Sequence, residues 1–373
     1  MKHRKLNAHS TIPVLLVVVL LSLIGAQVAN ADPAPEGPTT EEPSQPPPGQ
    51  LTQTMTVDSP ADQAGVDEII NQIRESKANS LARVEPYECY DDRFNSCDAF
   101  KASVVQEAKE PGGPVVQFGR WDVYVTMMMR VQARERTGTI YVDAQVVKVL
   151  PESIPGTLVV NVSQIKPGIA PTTQVGSLHI PVTTGYQGAE DQIVIDSPLA
   201  TYFQEVSDFA TDWTLDTPVP GMSQSYGTEM TDISVRCDNQ VGTRAGCVNP
   251  DYTPTLKFSG IPNININIGN HQALNGVGAP DGTPLHRGES PLTTVANRDA
   301  ACRTDRETSL GTKPTNMTNP SCDEYPFASS KEGGGNASVR WVPLAENNSQ
   351  GGQTSTFYQN NRVMPGDAFY VTY

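Results

Sequence analysis

At 373 residues the chain is long enough for two domains, and its 26 Lys and Arg against 41 Asp and Glu give a formal net charge of −15. That balance argues against a protein held on nucleic acid by a broad basic surface, leaving contact with a few phosphates through a local patch or a bound cation. The acid is unevenly spread: residues 281–373 carry 8 basic and 10 acidic side chains, so this part is the least hostile to a polyanion.

Residues 1–31 read as a secretory signal. Lys2, Arg4 and Lys5 form the positive start, Ile12 to Ile24 the apolar stretch, and Ala29-Asn30-Ala31 a small-residue cleavage site. The apolar run is short for a span of about 20 residues, so the mature protein is expected to be secreted, extracellular and free of the membrane. Residues 32–57 are dense in Pro, Glu, Thr and Gln, a composition that buries no core and predicts a disordered leader. Residues 58–112 are expected to form a helical, disulfide-containing segment. Ser59 as N-cap and Pro60 at the first helical position open a helix through about Ala82, with Ile69, Ile70 and Ile73 on its apolar face.

All six cysteines lie in the exported part. Their proximity pairs Cys89 with Cys97, Cys237 with Cys247 and Cys302 with Cys322. None of these spacings is C-x-x-C, and outside the cytosol structural disulfides are favoured over a metal site.

From Gly119 to about Ser259 the apolar period becomes two. Trp121, Val123, Val125, Met127, Met129 and Val131 alternate with more polar neighbours, and further short β-rich runs follow between Pro/Gly turns. Residues 113–262 are therefore expected to form an antiparallel β-sandwich-like domain. No catalytic spacing occurs in it, and Met127-Met128-Met129 reads as a strand with a buried methionine face. Asn263 to Ile268 alternate like one more strand, and Asn297 to Leu310 are charged and helix-compatible, with Arg303 and Arg306 available for phosphate.

The chemistry is expected after Cys322. Asp323 and Glu324 are adjacent, so on a strand they face opposite sides. Ala337 to Val342 reads as a second strand ended by Pro343, and Ala345 to Tyr358 as a helix with Glu346 and Asn347 at its start, giving a strand–strand–helix unit. Phosphodiester hydrolysis needs a proton acceptor for water and positive charge for the phosphate. Asp323 is a candidate base or metal ligand, Asn347 a neutral oxygen ligand for Mg²⁺ or Mn²⁺, and Arg340 a phosphate clamp. Of the mature histidines, His286 in Pro284-Leu285-His286-Arg287 is the one with a route to this site from outside the motif.

From about Thr293 onward the ordered set Thr-Lys-Pro (312–314), Asp-Glu-Tyr-Pro, Glu-Gly-Gly, Ala-Ser-Val-Arg (337–340), Glu-Asn and Gly-Asp-Ala-Phe-Tyr-Val (366–371) resembles the NucA/NucB-type secreted deoxyribonuclease domain. The resemblance implies an α+β protein whose residues 263–373 form a small ββα, His-Me finger-like nuclease domain. Asp323 would stand where most of that superfamily has a histidine. Asn347, or Asn348 if the register shifts, would be the metal-binding asparagine on the helix. It implies a metal-dependent endonuclease acting on DNA, with Asp323 and Glu324 catalytic and Arg303, Arg306 and Arg340 binding substrate. Two rival readings are a non-catalytic exported binding protein and an exported nuclease toxin partnered by a cognate inhibitor protein. The sequence sets no oligomeric state.

Overall fold

A computed structural model describes residues 51–373 apart from 61, 80–88, 167–168, 196–203, 218–221, 223–224 and 303–309. The signal, most of the Pro-rich leader, Arg303 and Arg306 lie outside the described residues. The protein is mixed α+β, and its sheets are mostly antiparallel.

The larger layer pair is built from β1 (Leu51–Asp58), β2 (Asn95–Lys109), β3 (Val115–Val131), β4 (Thr137–Lys148), β5 (Gly156–Lys166), β6 (Ile169–Val182), β7 (Gly185–Val194), β8 (Gln204–Asp216), β9 (Ser225–Asp238) and β10 (Gly246–Val248). They form two five-stranded antiparallel sheets, ordered β1-β2-β3-β4-β7 and β10-β9-β8-β5-β6. Alternate residues of both sheets meet in one core: Val123, Val125, Met127 and Met129 from β3 face Leu158, Val160, Phe209, Trp213 and Leu215. Period-two patterning is what one buried face demands, and the three methionines sit in a strand as the sequence predicts.

Two expectations change here. Residues 51–57, assigned to the disordered leader, belong to β1, which pairs with β2 from Leu51↔Ala108 to Asp58↔Lys101. The Pro-rich composition ends before them, and Met55 and Val57 reach the core. The first helix, α1, spans Gln63–Ala78 and is capped by Asp62, whose carboxylate accepts from the Gly65 amide. Asp62 thus replaces Ser59 as the cap. Val66, Ile69 and Ile73 of α1 pack on Ala99 and Tyr186 of the sandwich.

The carboxyl-terminal layer has its own core. β11 (Thr255–Lys257) and β12 (Leu285–His286) flank β15 (Ala368–Thr372), β11 in parallel and β12 antiparallel. β13 (Pro320–Tyr325) and β14 (Ser338–Pro343) form an antiparallel hairpin, followed at once by a helix, α4 (Leu344–Asn360). Ahead of these lie α2 (Pro262–Asn275) and α3 (Pro291–Ala301). The expected strand at 263–268 is the first half of α2. Its alternation of Asn and Ile also places Ile264 and Ile268 one turn apart, and both are buried with Leu256, Tyr325 and Val371. Six residues cannot separate a period of 2 from one of 3.6 when every second residue is apolar.

The two layers are clamped by arginines. Arg362, just past α4, is 1 % exposed and sends its guanidinium into the sandwich. Nε donates to Asp238 Oδ2 (2.9 Å), Nη2 to the Asp238 backbone oxygen (2.7 Å), and Nη1 to the carbonyls of Ala133 (2.6 Å) and Arg244 (3.0 Å). In return Arg236 of β9 reaches Asp367 (2.7 Å) and the Arg362 carbonyl (2.7 Å), and Arg93 reaches Asp367 (3.1 Å) and the Asn361 carbonyl (2.8 Å).

Candidate active site

The hairpin sets the site. In its register Asp323 lies opposite Arg340, Cys322 opposite Trp341 and Glu324 opposite Val339. Opposed residues share a face, so Asp323 and Arg340 project to one side and Glu324 to the other. The Cys302–Cys322 disulfide ties β13 to the end of α3, immediately before Asp323. All six cysteines are paired as their proximity predicts, and Cys237 and Cys247 are direct cross-strand partners.

Asp323 is 1 % exposed. Burial pushes its carboxyl up to about 7, and the neighbouring Glu324 charge adds to the shift. Opposing them is the hydrogen bond from Asn267 Nδ2 of α2 to Asp323 Oδ2, 2.8 Å long. Gln350, one turn into α4 beyond Asn347, faces the same carboxyl and also tempers the shift. Its buried Nε2 completes no hydrogen bond of normal geometry. Arg340 Nε is likewise buried without a hydrogen-bond partner among the described residues. A carboxyl of near-neutral pKa therefore lies beside the Gln350 carboxamide, and on the facing strand Arg340 Nε is an open buried donor. Buried donors left open need an explanation, and a water or an anion oxygen supplies one.

Asn347 is anchored to the strand that carries Asp323. Its Nδ2 donates to Ser321 Oγ (3.0 Å) and to the Cys322 carbonyl (3.0 Å), so Oδ1 is the side-chain atom these bonds leave available. Glu346 beside it turns to α2: Oε2 accepts from the amides of Asn263 (2.8 Å) and Ile264 (3.3 Å), and Oε1 from Asn263 Nδ2 (2.7 Å). This carboxylate satisfies the open first-turn amides of α2, a role normally filled within the helix itself.

The structure does not bring every sequence candidate together. Glu324 faces α3, with Arg298 Nε 4.0 Å from Oε1 and the disulfide sulfur of Cys302 3.4 Å from Oε2. Burial raises its pKa and Arg298 opposes the rise. His286 is held by Glu332, through Nδ1 to Oε1 (2.8 Å) and its amide to Oε2 (2.9 Å), and joins no residue of the Asp323 cluster. Three contributors were missed from sequence: Asn267, Gln350 and His271. His271 Nδ1 lies 2.8 Å from Ser338 Oγ, and its ring meets Tyr325 edge-on at 5.4 Å. Burial lowers its pKa, so the ring is held neutral. The spacing Asn263, Asn267, His271 was the available signal, since residues four apart line one helix face.

A buried acid on a hairpin strand, an open arginine donor on the facing strand and an anchored asparagine on the following helix make up the candidate site. Residues 273–372 match the family model of the deoxyribonuclease NucA/NucB, so the carboxyl-terminal part of this chain is a NucA/NucB-type nuclease domain. No curated protein matches the chain. The match begins near the end of α2, so Asn267 and His271 lie ahead of it. Among the described residues no helix is long and apolar enough to cross a membrane.

Proposed function

We propose that the protein is a secreted, metal-dependent endonuclease that hydrolyses DNA phosphodiester bonds at the β13–β14–α4 unit, arranged as a ββα, His-Me finger-like motif. One observation carries the reading: a carboxyl buried on the hairpin strand opposite Arg340, with its pKa raised to about 7, inside the matched nuclease domain. A base is most effective when its pKa lies near the working pH, and burial gives Asp323 that property. Asp323 takes the proton from the attacking water. Arg340, opposite it on the hairpin, holds the scissile phosphate, and Gln350 steadies the carboxyl. Secretion agrees with the signal-like start and with three disulfides.

The donor set fits a hard divalent ion. Asn347 has a single unspent atom, an amide oxygen, and no thiolate is free because every cysteine is paired. Mg²⁺ and Mn²⁺ favour oxygen ligands and retain waters, so one or two protein oxygens suffice. Bound there, such an ion supplies charge for the phosphate and the leaving oxygen. Asn347 would hold it through Oδ1, with Asp323 the second candidate protein oxygen. Glu324 supports β13 from the opposite face through Arg298 and α3. Purified mature protein should nick plasmid DNA with Mg²⁺ or Mn²⁺, and Asp323→Asn should lower the rate by roughly 10²–10⁴-fold without lowering the melting temperature. Nicking by that variant at the parental rate would refute the assignment.

A further inference from the structure

We infer that Asn267 is a positioning residue for the reaction, contributed by a helix that begins ahead of the matched nuclease domain. The inference rests on Asp323 acting as the base. Asn267 is 4 % exposed in the middle of α2. Asparagine there is unfavourable on two counts: its helix propensity is low, and a buried carboxamide is costly unless bonded. Its apolar neighbours on the helix, Ile264 and Ile268, already fill the core, so packing does not call for it. Its distinctive contact is the 2.8 Å hydrogen bond to Asp323 Oδ2.

That bond acts together with the Glu324 backbone contact and Gln350 on the same carboxyl. It engages Oδ2 from a helix outside the hairpin and so restrains the rotation of the carboxyl about its own strand. Productive geometry at such a site tolerates errors of only about half an ångström. Asn267 is itself held to that standard by the helix ends around it. Glu346, adjacent to Asn347, caps α2 one turn before Asn267, and His271, one turn after, is fixed to Ser338 of β14. The polar stripe 263–267–271 therefore locks α2 to α4, to the base and to the second hairpin strand in successive turns. The site of this protein is incomplete without residues 262–272.

The test uses the full mature chain. Asn267→Leu removes the donor at similar volume, and Asn267→Asp keeps the shape while replacing the donor with an acceptor. Both should lower kcat for plasmid nicking about 10- to 100-fold, a loss typical of misplaced catalytic groups. KM for DNA should stay within about twofold, because the phosphate clamp is not touched. In the Asp323→Asn background Asn267→Leu should cost nothing further. Parental kcat in either single variant, or a loss expressed in KM instead, would overturn the inference. Should Asp323→Asn itself cleave normally, the parent assignment of the base fails, a separate outcome from the failure of Asn267.

Discussion

Replacing Arg362 by methionine should unseat the nuclease domain from the sandwich. The guanidinium is 1 % exposed and Asp238, its partner, is 0 % exposed. Methionine fills much of the volume but removes the cation from the Asp238 carboxylate, which keeps the Gln240 and Val241 amides, and the donors from the carbonyls of Asp238, Ala133 and Arg244. Removing one partner of a buried ion pair costs about 3–5 kcal/mol, because the other charge stays buried and uncompensated. Against a total stability of about 5–15 kcal/mol that is a large share. At about 2–4 °C per kcal/mol it predicts a fall in melting temperature on the order of 10 °C. Arg362→Lys should recover little, since one ammonium with three N–H groups cannot serve both oxygens of a carboxylate and three carbonyls as the planar fork does. Adding Asp238→Asn to Arg362→Met should restore part of the loss by removing the stranded charge. Thermal melting of the three variants decides it. A shift under about 2 °C for Arg362→Met would show that the clamp contributes far less than its burial implies.

The remaining expectations concern pH and covalent bracing. Nicking should rise with pH through about 7 as Asp323 loses its proton; a flat profile across that range would count against Asp323 as the base. Because the folded pKa of this carboxyl is raised, its contribution to stability is fully present below the ordinary carboxylate pKa and is lost as pH rises through about 7. Asp323→Asn should therefore melt progressively higher than the parent as pH goes from 4 to 8, and a pH-independent difference would contradict the burial argument. Replacing both Cys302 and Cys322 by serine opens a loop of sequence separation 20, a loss of about 3 kcal/mol by chain entropy. It should also slow nicking by loosening the strand before Asp323, whereas unchanged melting and rate would dismiss the brace.

Much of the fold was legible where one period had room to repeat. The seventeen residues of β3 alternate long enough to fix a strand, and its inward face is the sandwich core. Asn-Ile-Asn-Ile-Asn-Ile was too short and too regular to distinguish strand from helix, and the tertiary core chose α2. In the site, Asp323, Arg340 and Asn347 announced themselves through adjacency and order. Asn267 did not, because its partner lies 56 residues away and a lone asparagine in an ambiguous segment carries no pattern.

Local chemistry alone thus determined the cysteine pairing, the β-rich character of the amino-terminal part, the hairpin followed by a helix and the acid that opens the site. These follow from spacing within a few turns of chain, where geometry is fixed by covalent bonds and backbone periodicity. Burial decided the rest. The near-neutral carboxyl of Asp323, the turning of Glu324 toward α3, the capping of α2 by Glu346 and the Arg362 clamp each depend on groups distant in sequence meeting in a medium where charge is poorly solvated, and no linear pattern encodes how much water remains between them.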